Sequence, residues 1–236
     1  MESLIKKVKK LFFSFLLVCS FNISAYNLKE YSTFYNSGSN SAEESLVNIE
    51  NNIWKMSSKI EHSIFQVTQE ATFKIKDDKV FLLNAFRKTR AFGGFRREKQ
   101  SFLVDYGKNE IVYEYNREKG KIPFKCENFS DCRFFDNLTL QIQSKLSLVD
   151  KELPINLKFN YLYKGKIKEK VFKLEDSIDA DQDTNANKIK FSEIRDDDKG
   201  FTLWFDPLTN YTTYKIYQDF GAQDLTWNLQ SKLLEE

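Results

Sequence analysis

The segment Asp136-Asn-Leu-Thr-Leu-Gln-Ile-Gln-Ser-Lys-Leu-Ser-Leu-Val149 interrupts a chain that otherwise reads as one extended run after another. Leu138, Ile142, Leu146 and Val149 share one face at helical spacing, and Asp136 or Asn137 can cap the first turn. Leu138, Leu140 and Ile142 also alternate, as strand residues do. Length and the cap favour a helix. With that helix the protein is mainly β, a β-rich α+β chain in which one amphipathic helix covers a sheet face. Membrane binding would call for a more basic polar face.

Upstream of this segment the apolar residues recur with period two. Tyr26–Leu28 and Tyr31–Phe34 run into a polar turn at Asn36–Asn40. Leu46–Ile49 and Ile53–Met56 are parted by Glu50-Asn-Asn52, and Thr72–Ile75 reaches a turn at Asp77-Asp78 before Val80–Arg90. Phe92-Gly93-Gly94-Phe95 reads as a two-residue hairpin, because paired glycines accept the positive φ of such turns. Ser101–Tyr106 and Ile111–Tyr115 follow, with Gly107-Lys-Asn109 between them. This is an antiparallel meander of seven or eight strands. Downstream, Ile155–Tyr163 turns at Lys164-Gly165-Lys166 into Val171–Leu174. The segments Ile189–Ile194, Phe201–Phe205, Tyr211–Tyr217 and Leu225–Leu229 complete the pattern. No linker, repeat or low-complexity tract divides 26–236, which reads as a single β-rich domain.

The first 25 residues have a different character. Lys6, Lys7, Lys9 and Lys10 precede an apolar run, Leu11–Phe21, and Asn22-Ile-Ser-Ala25 ends in a small residue. Order and lengths describe a secretory signal peptide cleaved near Ala25–Tyr26. The run is shorter than the ~20 residues of a membrane span. Val18, ahead of Cys19, stands where a lipoprotein site wants a small residue. The expected address is the periplasm, with no stable membrane span after cleavage.

Cleavage changes the charge. The whole chain carries 36 basic and 34 acidic side chains, but 26–236 holds 32 and 33, a net charge of −1. No global attraction to nucleic acid remains. Twenty-two Phe and eleven Tyr against three Pro suit a stacked, strand-rich interior. Cys126 and Cys132 survive in Lys125-Cys-Glu-Asn-Phe-Ser-Asp-Cys-Arg133, and in an exported chain this close pair can form a disulfide that pins a local turn.

The strand Phe201-Thr-Leu-Trp-Phe-Asp-Pro207, followed by Tyr214-Lys-Ile-Tyr217, resembles the end of the exported bacterial family called domain of unknown function 3108. The hairpin at Gly165 and the Asp136-Asn-Leu-Thr-Leu140 helix start stand in the same order as in that family. Thr213 or Tyr214 replaces the family's proline before the last strand, and the polar loop Asp179–Asn187 replaces a glycine turn. The resemblance implies a periplasmic protein whose meander curves into a half or open barrel like that of the LolA- and LolB-type lipoprotein carriers. It implies no known activity.

The chemistry-bearing residues are sparse. His62 is the only histidine and has no nucleophile and acid arranged around it. There is no Gly-x-Ser-x-Gly elbow and no glycine-rich phosphate loop. No cofactor is expected. Asp179, Asp181 and Asp183 alternate as oxygen ligands of a calcium loop do, but Thr184 and Lys190 stand where an EF-hand has Gly and Glu. Arg87, Lys88, Arg90, Arg96, Arg97 and Lys99 cluster around Phe92 and Phe95. Phe92, Phe95, Arg96 and Arg97 are therefore the candidate contact for a lipid headgroup or an envelope protein, while an edge hairpin kept soluble by charge reads the same way. The leading expectation is a non-enzymatic protein that binds a lipid, an apolar ligand or an envelope partner in a groove of the sheet. The alternatives are an envelope assembly factor acting through the basic hairpin 87–99 and a hydrolase using carboxylates brought together by the fold.

Overall fold

The computed structural model describes residues 28–127, 132–148, 152–177, 188–195, 200–219 and 224–234. Eight strands run outward from the middle of one sheet: β1 (Tyr31–Ser37), β2 (Asn40–Glu50), β3 (Ile53–Glu61), β4 (Phe65–Lys76), β5 (Lys79–Ala91), β6 (Arg96–Asp105), β7 (Glu110–Tyr115) and β8 (Glu118–Pro123). The chain then passes through β9 (Phe134–Phe135) and a helix, α1 (Asn137–Leu146). It returns through β10 (Ile155–Tyr163), β11 (Lys166–Ser177), β12 (Lys188–Glu193), β13 (Phe201–Asp206), β14 (Thr212–Asp219) and β15 (Asp224–Leu234). β15 pairs with β1, so the two meanders join into one sheet whose edges are β8 and β9. Every pairing is antiparallel except that of β9 with β10.

Bulges bend this sheet. Register shifts fall between Phe34 and Tyr35, Asn48 and Glu50, Thr72 and Phe73, and Trp204 and Phe205. Each extra residue increases local twist and curvature. The edges approach without pairing. The Tyr113 ring lies between Gly120 and the β10–β11 turn at Gly165, where an added Cβ would come within 2.6 Å and 2.5 Å of it. Beside it the Lys164 amide donates to Gln100 Oε1 at 3.1 Å, and Lys164 Nζ pairs with Glu98 at 3.2 Å. The result is a barrel closed at this seam by side chains rather than by a strand ladder.

The concave face is the core. Phe73, Phe135, Phe172, Phe191, Phe205 and Trp227 are all fully buried there. Phe172 stacks on Phe191 with centroids 4.6 Å apart, and Phe159 meets both edge-on. These aromatics pack against each other and α1, so they are core and do not line an empty groove.

The helix forms where the cap and spacing predict. Asp136 Oδ1 accepts from the Thr139 amide at 2.9 Å, and Thr139 Oγ1 accepts from the Asp136 amide at 3.0 Å. This reciprocal box satisfies donors that a helix start leaves open. The surroundings differ from those of an amphipathic cover. Every residue from Leu138 to Leu146 is buried, polar face included, because the helix sits inside the curved sheet. Another difference lies at the tip of the β5–β6 hairpin. Ala91 is opposite Arg96, leaving a four-residue loop in which Phe92, Gly93 and Gly94 all have positive φ. The Phe92 amide donates to the Ile64 carbonyl at 2.7 Å, one step beyond the Phe65–Ala91 pair, so Phe92 stays on the β4 side before the loop turns.

The seam gives a direct test. Gly165→Ala adds a side chain at positive φ against a ring already held by Gly120, whereas Gly38→Ala at similar φ meets open space. Denaturant titration is expected to show Gly165→Ala costing about 1–3 kcal/mol more than Gly38→Ala. Equal costs would mean that Tyr113 does not close the barrel.

Candidate functional site

α1 fills one end of the barrel and leaves the other open. The inward-facing positions at the open end come from the C-terminal halves of β5, β10, β12 and β14 and the N-terminal halves of β6, β11 and β13. Thr89 is opposite Glu98 and Ala91 opposite Arg96, while Tyr161 is opposite Lys168. Together with Arg87, Tyr163, Lys164, Lys170, Glu193, Arg195 and Phe201 they line a cleft of about 700 Å³. Asn137, at the first turn of α1, lies on its floor, and Tyr161 Oη donates to Asn137 Oδ1 at 2.7 Å. Ile64, Phe65 and Phe92 form the lip.

The wall alternates rings and cations. Lys170 Nζ lies 4.4 Å from the Tyr161 centroid, and Lys168 and Lys164 lie 5.3 and 5.1 Å from that of Tyr163. Such contacts hold ammonium groups over ring faces while leaving their outer hydrogens available. Among the described residues six cationic side chains, Arg87, Arg96, Lys164, Lys168, Lys170 and Arg195, line the cleft with the carboxylates Glu98 and Glu193, while Glu169 at its rim has the opposite parity and pairs with Lys158 at 3.5 Å. Glu193 is held by Lys170 at 2.9 Å and Glu98 by Lys164 at 3.2 Å. The site therefore joins an aromatic wall to an excess of positive charge.

Below the floor the helix is locked by polar contacts. Gln141 Nε2 donates to Glu44 Oε2 at 3.0 Å, and Tyr35 Oη reaches the same oxygen at 3.4 Å. Gln143 Oε1 accepts from the Val80 amide at 2.9 Å and from Arg133 at 2.8 Å. Lys145 Nζ lies 5.2 Å from the Tyr31 ring centroid. Burial raises the Glu44 carboxyl well above its ordinary value, although the Lys145 charge and the Tyr35 hydroxyl pull it back. Burial likewise lowers the Lys145 ammonium, with Glu44 opposing the shift. Only about 20 Å³ of space adjoins Glu44, room for no more than a water.

The candidate residues read from the sequence separate here. Phe92 and Arg96 line the cleft. Phe95 is 97% exposed at the tip, and Arg97 Nε donates back to the Gly94 carbonyl at 3.0 Å. Of the basic cluster, Arg87 faces inward, whereas Lys88 lies opposite Lys99 and Arg90 opposite Arg97 along the ladder. Cys126 and Cys132 are joined as a disulfide with Cα atoms 5.5 Å apart. His62 stacks on Phe65 at 4.5 Å, and its Nδ1 accepts from the Ile64 amide at 3.2 Å, so it shapes the β3–β4 turn. Asp179, Asp181 and Asp183 lie outside the described residues. Among the described residues no three His, Cys, Asp or Glu side chains gather as a metal site. No helix there is long and apolar enough to cross a membrane.

Sequence reasoning misses Arg87, Tyr161, Tyr163, Lys168, Lys170 and Glu193 as neighbours. A signal exists in β11: Lys168 and Lys170 share the parity of the buried Phe172 and Leu174, so they point inward.

No family model matches the chain, and no curated protein does. Among solved structures it is similar to a β-barrel-like protein of domain of unknown function DUF1849 from Brucella abortus, with a TM-score of 0.55 and 7% identity. The match covers 89% of this chain and 99% of that one. It supports the open, barrel-like fold and not the domain 3108 family in particular.

The buried pair generates a prediction. Glu44→Ala or Lys145→Met alone leaves one charge stranded and is expected to cost about 3–5 kcal/mol, whereas Glu44→Gln with Lys145→Met costs far less. In the Lys145→Met background only the carboxyl titrates. Its proton binds more tightly in the folded chain, so its contribution is lost as pH rises from the ordinary carboxyl range through neutral. Glu44→Gln should then become increasingly stabilising over that interval, as read by urea denaturation. A difference independent of pH would show that Glu44 is not buried under the helix.

Proposed function

We propose that this chain is an exported, periplasmic binding protein that carries out no chemistry of its own and takes an amphiphile, a lipid or another molecule with an apolar chain, into the mouth of its barrel. The cleft of about 700 Å³ carries this reading, since ligand sites of this kind span roughly 300–1,000 Å³ and combine apolar walls with a few placed polar groups. Tyr161, Tyr163, Phe65 and Phe201 supply the wall, and the packed core beneath fixes the depth to which a ligand enters. The basic and apolar leader supports export.

A second reading is favoured by the outer face of the β5–β6 hairpin. Like charges directly opposite one another destabilise a ladder, yet Lys88 faces Lys99 and Arg90 faces Arg97 beneath the exposed Phe95. An anionic envelope partner would relieve that repulsion. Crosslinking from position 95 in cells is expected to trap one defined species on this reading, and a diffuse pattern would count against it.

The first reading predicts that protein purified from the periplasm begins at Tyr26 and takes up a fluorescent acyl probe saturably, with one equivalent seen by native mass spectrometry. Failure to bind any amphiphile would refute it.

A further inference from the structure

The mouth of the barrel contains a half-buried guanidinium with no acceptor among the described residues. Arg87 lies on β5 opposite Gln100, and its Nε is buried without a hydrogen-bond partner among the described residues. Nor does any carboxylate there lie within ion-pair distance of it. Asp136 is near enough to feel the Arg87 charge, but its Oδ1 is committed to the Thr139 amide and hydroxyl at 2.9 and 2.6 Å. A buried N–H left open costs the desolvation of that group and calls for an acceptor.

Two further cations face the same space without a carboxylate partner among the described residues, Arg96 and Lys168. Lys168 is held only over the Tyr163 ring. Lys170 and Lys164, by contrast, are already engaged by Glu193 and Glu98. Among the described residues these three cations lack a carboxylate partner and line one cleft, with Arg87 beside the first turn of α1 and Arg96 and Lys168 farther toward its opening, and a guanidinium suits the paired oxygens of phosphate or carboxylate. A single carboxylate would neutralise one of them. A phosphate monoester brings up to two charges and three acceptor oxygens.

We propose that the cleft recognises its ligand by a phosphate group bound at Arg87, with Arg96 and Lys168 completing the charge and the aromatic wall receiving the apolar remainder. The proposal rests on the reading of the mouth as an amphiphile site and specifies which end of the amphiphile is read. It also explains why inward positions of β5, β6 and β11 carry charge where a barrel core would carry apolar groups.

Titration calorimetry on the mature chain with dodecyl phosphate, dodecyl maltoside and inorganic phosphate tests this. Dodecyl phosphate is expected to bind at least about tenfold more tightly than dodecyl maltoside, the scale of a charge-assisted hydrogen bond. Arg87→Gln should abolish that preference, so that the two detergents bind with similar affinity. Arg96→Gln and Lys168→Gln, both at exposed positions, should each reduce it, and they keep the test sound if Arg87→Gln does not fold. Inorganic phosphate that fails to compete identifies a lipid headgroup as the source, and competition that depends on Arg87 identifies a free phosphate or phosphorylated solute. Equal affinity for the two detergents, or a preference that survives these substitutions, overturns the phosphate site and leaves amphiphile binding standing. Arg87-dependent binding of inorganic phosphate without either detergent upholds the phosphate site and refutes the amphiphile reading. No binding of any probe refutes both.

Discussion

The hydrogen bond from Gln141 on the helix to Glu44 on the sheet expresses the constraint on which the rest depends. A ten-residue helix sits inside a rolled sheet, and its polar face is buried along with its apolar one. Buried polar groups are tolerable only when satisfied. Glu44, Gln141, Gln143 and the Asp136–Thr139 cap meet that demand and in doing so set the depth and rotation of the helix. An all-apolar plug of the same volume could slide or turn. The seam at Tyr113 and Gly165 holds the barrel closed around this insert.

The helix also divides the interior. Toward one end the inward strand positions are Phe, Leu and Trp, fully buried, with about 20 Å³ of space beside Glu44. Past the first turn of α1 the same strands present Arg, Lys, Glu and Tyr on the same parity. Nothing in barrel stability requires charges there, and each carries a desolvation cost that the core positions avoid. Their arrangement makes physical sense if something anionic and partly apolar occupies the opening. The barrel-like neighbour from Brucella abortus shares the fold at 7% identity, so the argument for function stays with these side chains.

Much of the architecture is legible from residues alone. Period-two alternation marks most strands, and Asp136 with the 3.6-residue spacing marks the helix. Strand ends are harder, because Lys166–Lys170 and Ser57–Glu61 are polar stretches that look like loops until a neighbouring strand pairs with them. β8, Glu118–Pro123, has no apolar alternation at all and is held by its ladder to β7. The Phe92–Phe95 turn is a four-residue loop and not a two-residue hairpin because Phe92 takes positive φ and donates its amide to the Ile64 carbonyl, a partner invisible in local sequence. The cleft is least legible. Arg87 and Lys168 are far apart in sequence and line one cleft only because the two meanders curl together, so no spacing rule could pair them. The basic cluster around Phe92 and Phe95 reads as an outward patch, yet Arg87 within it points the other way.

On the proposed reading α1 is a fixed floor and ligand enters above it. Amide hydrogen exchange of residues 26–236, with and without dodecyl phosphate, tests this. The helix amides from Leu140 to Leu146 should be among the slowest to exchange in both states, with new protection confined to the mouth ends of β5, β6, β10 and β11. If ligand instead accelerates exchange in α1, the helix is a gate that leaves the barrel on binding, and the fixed floor is refuted.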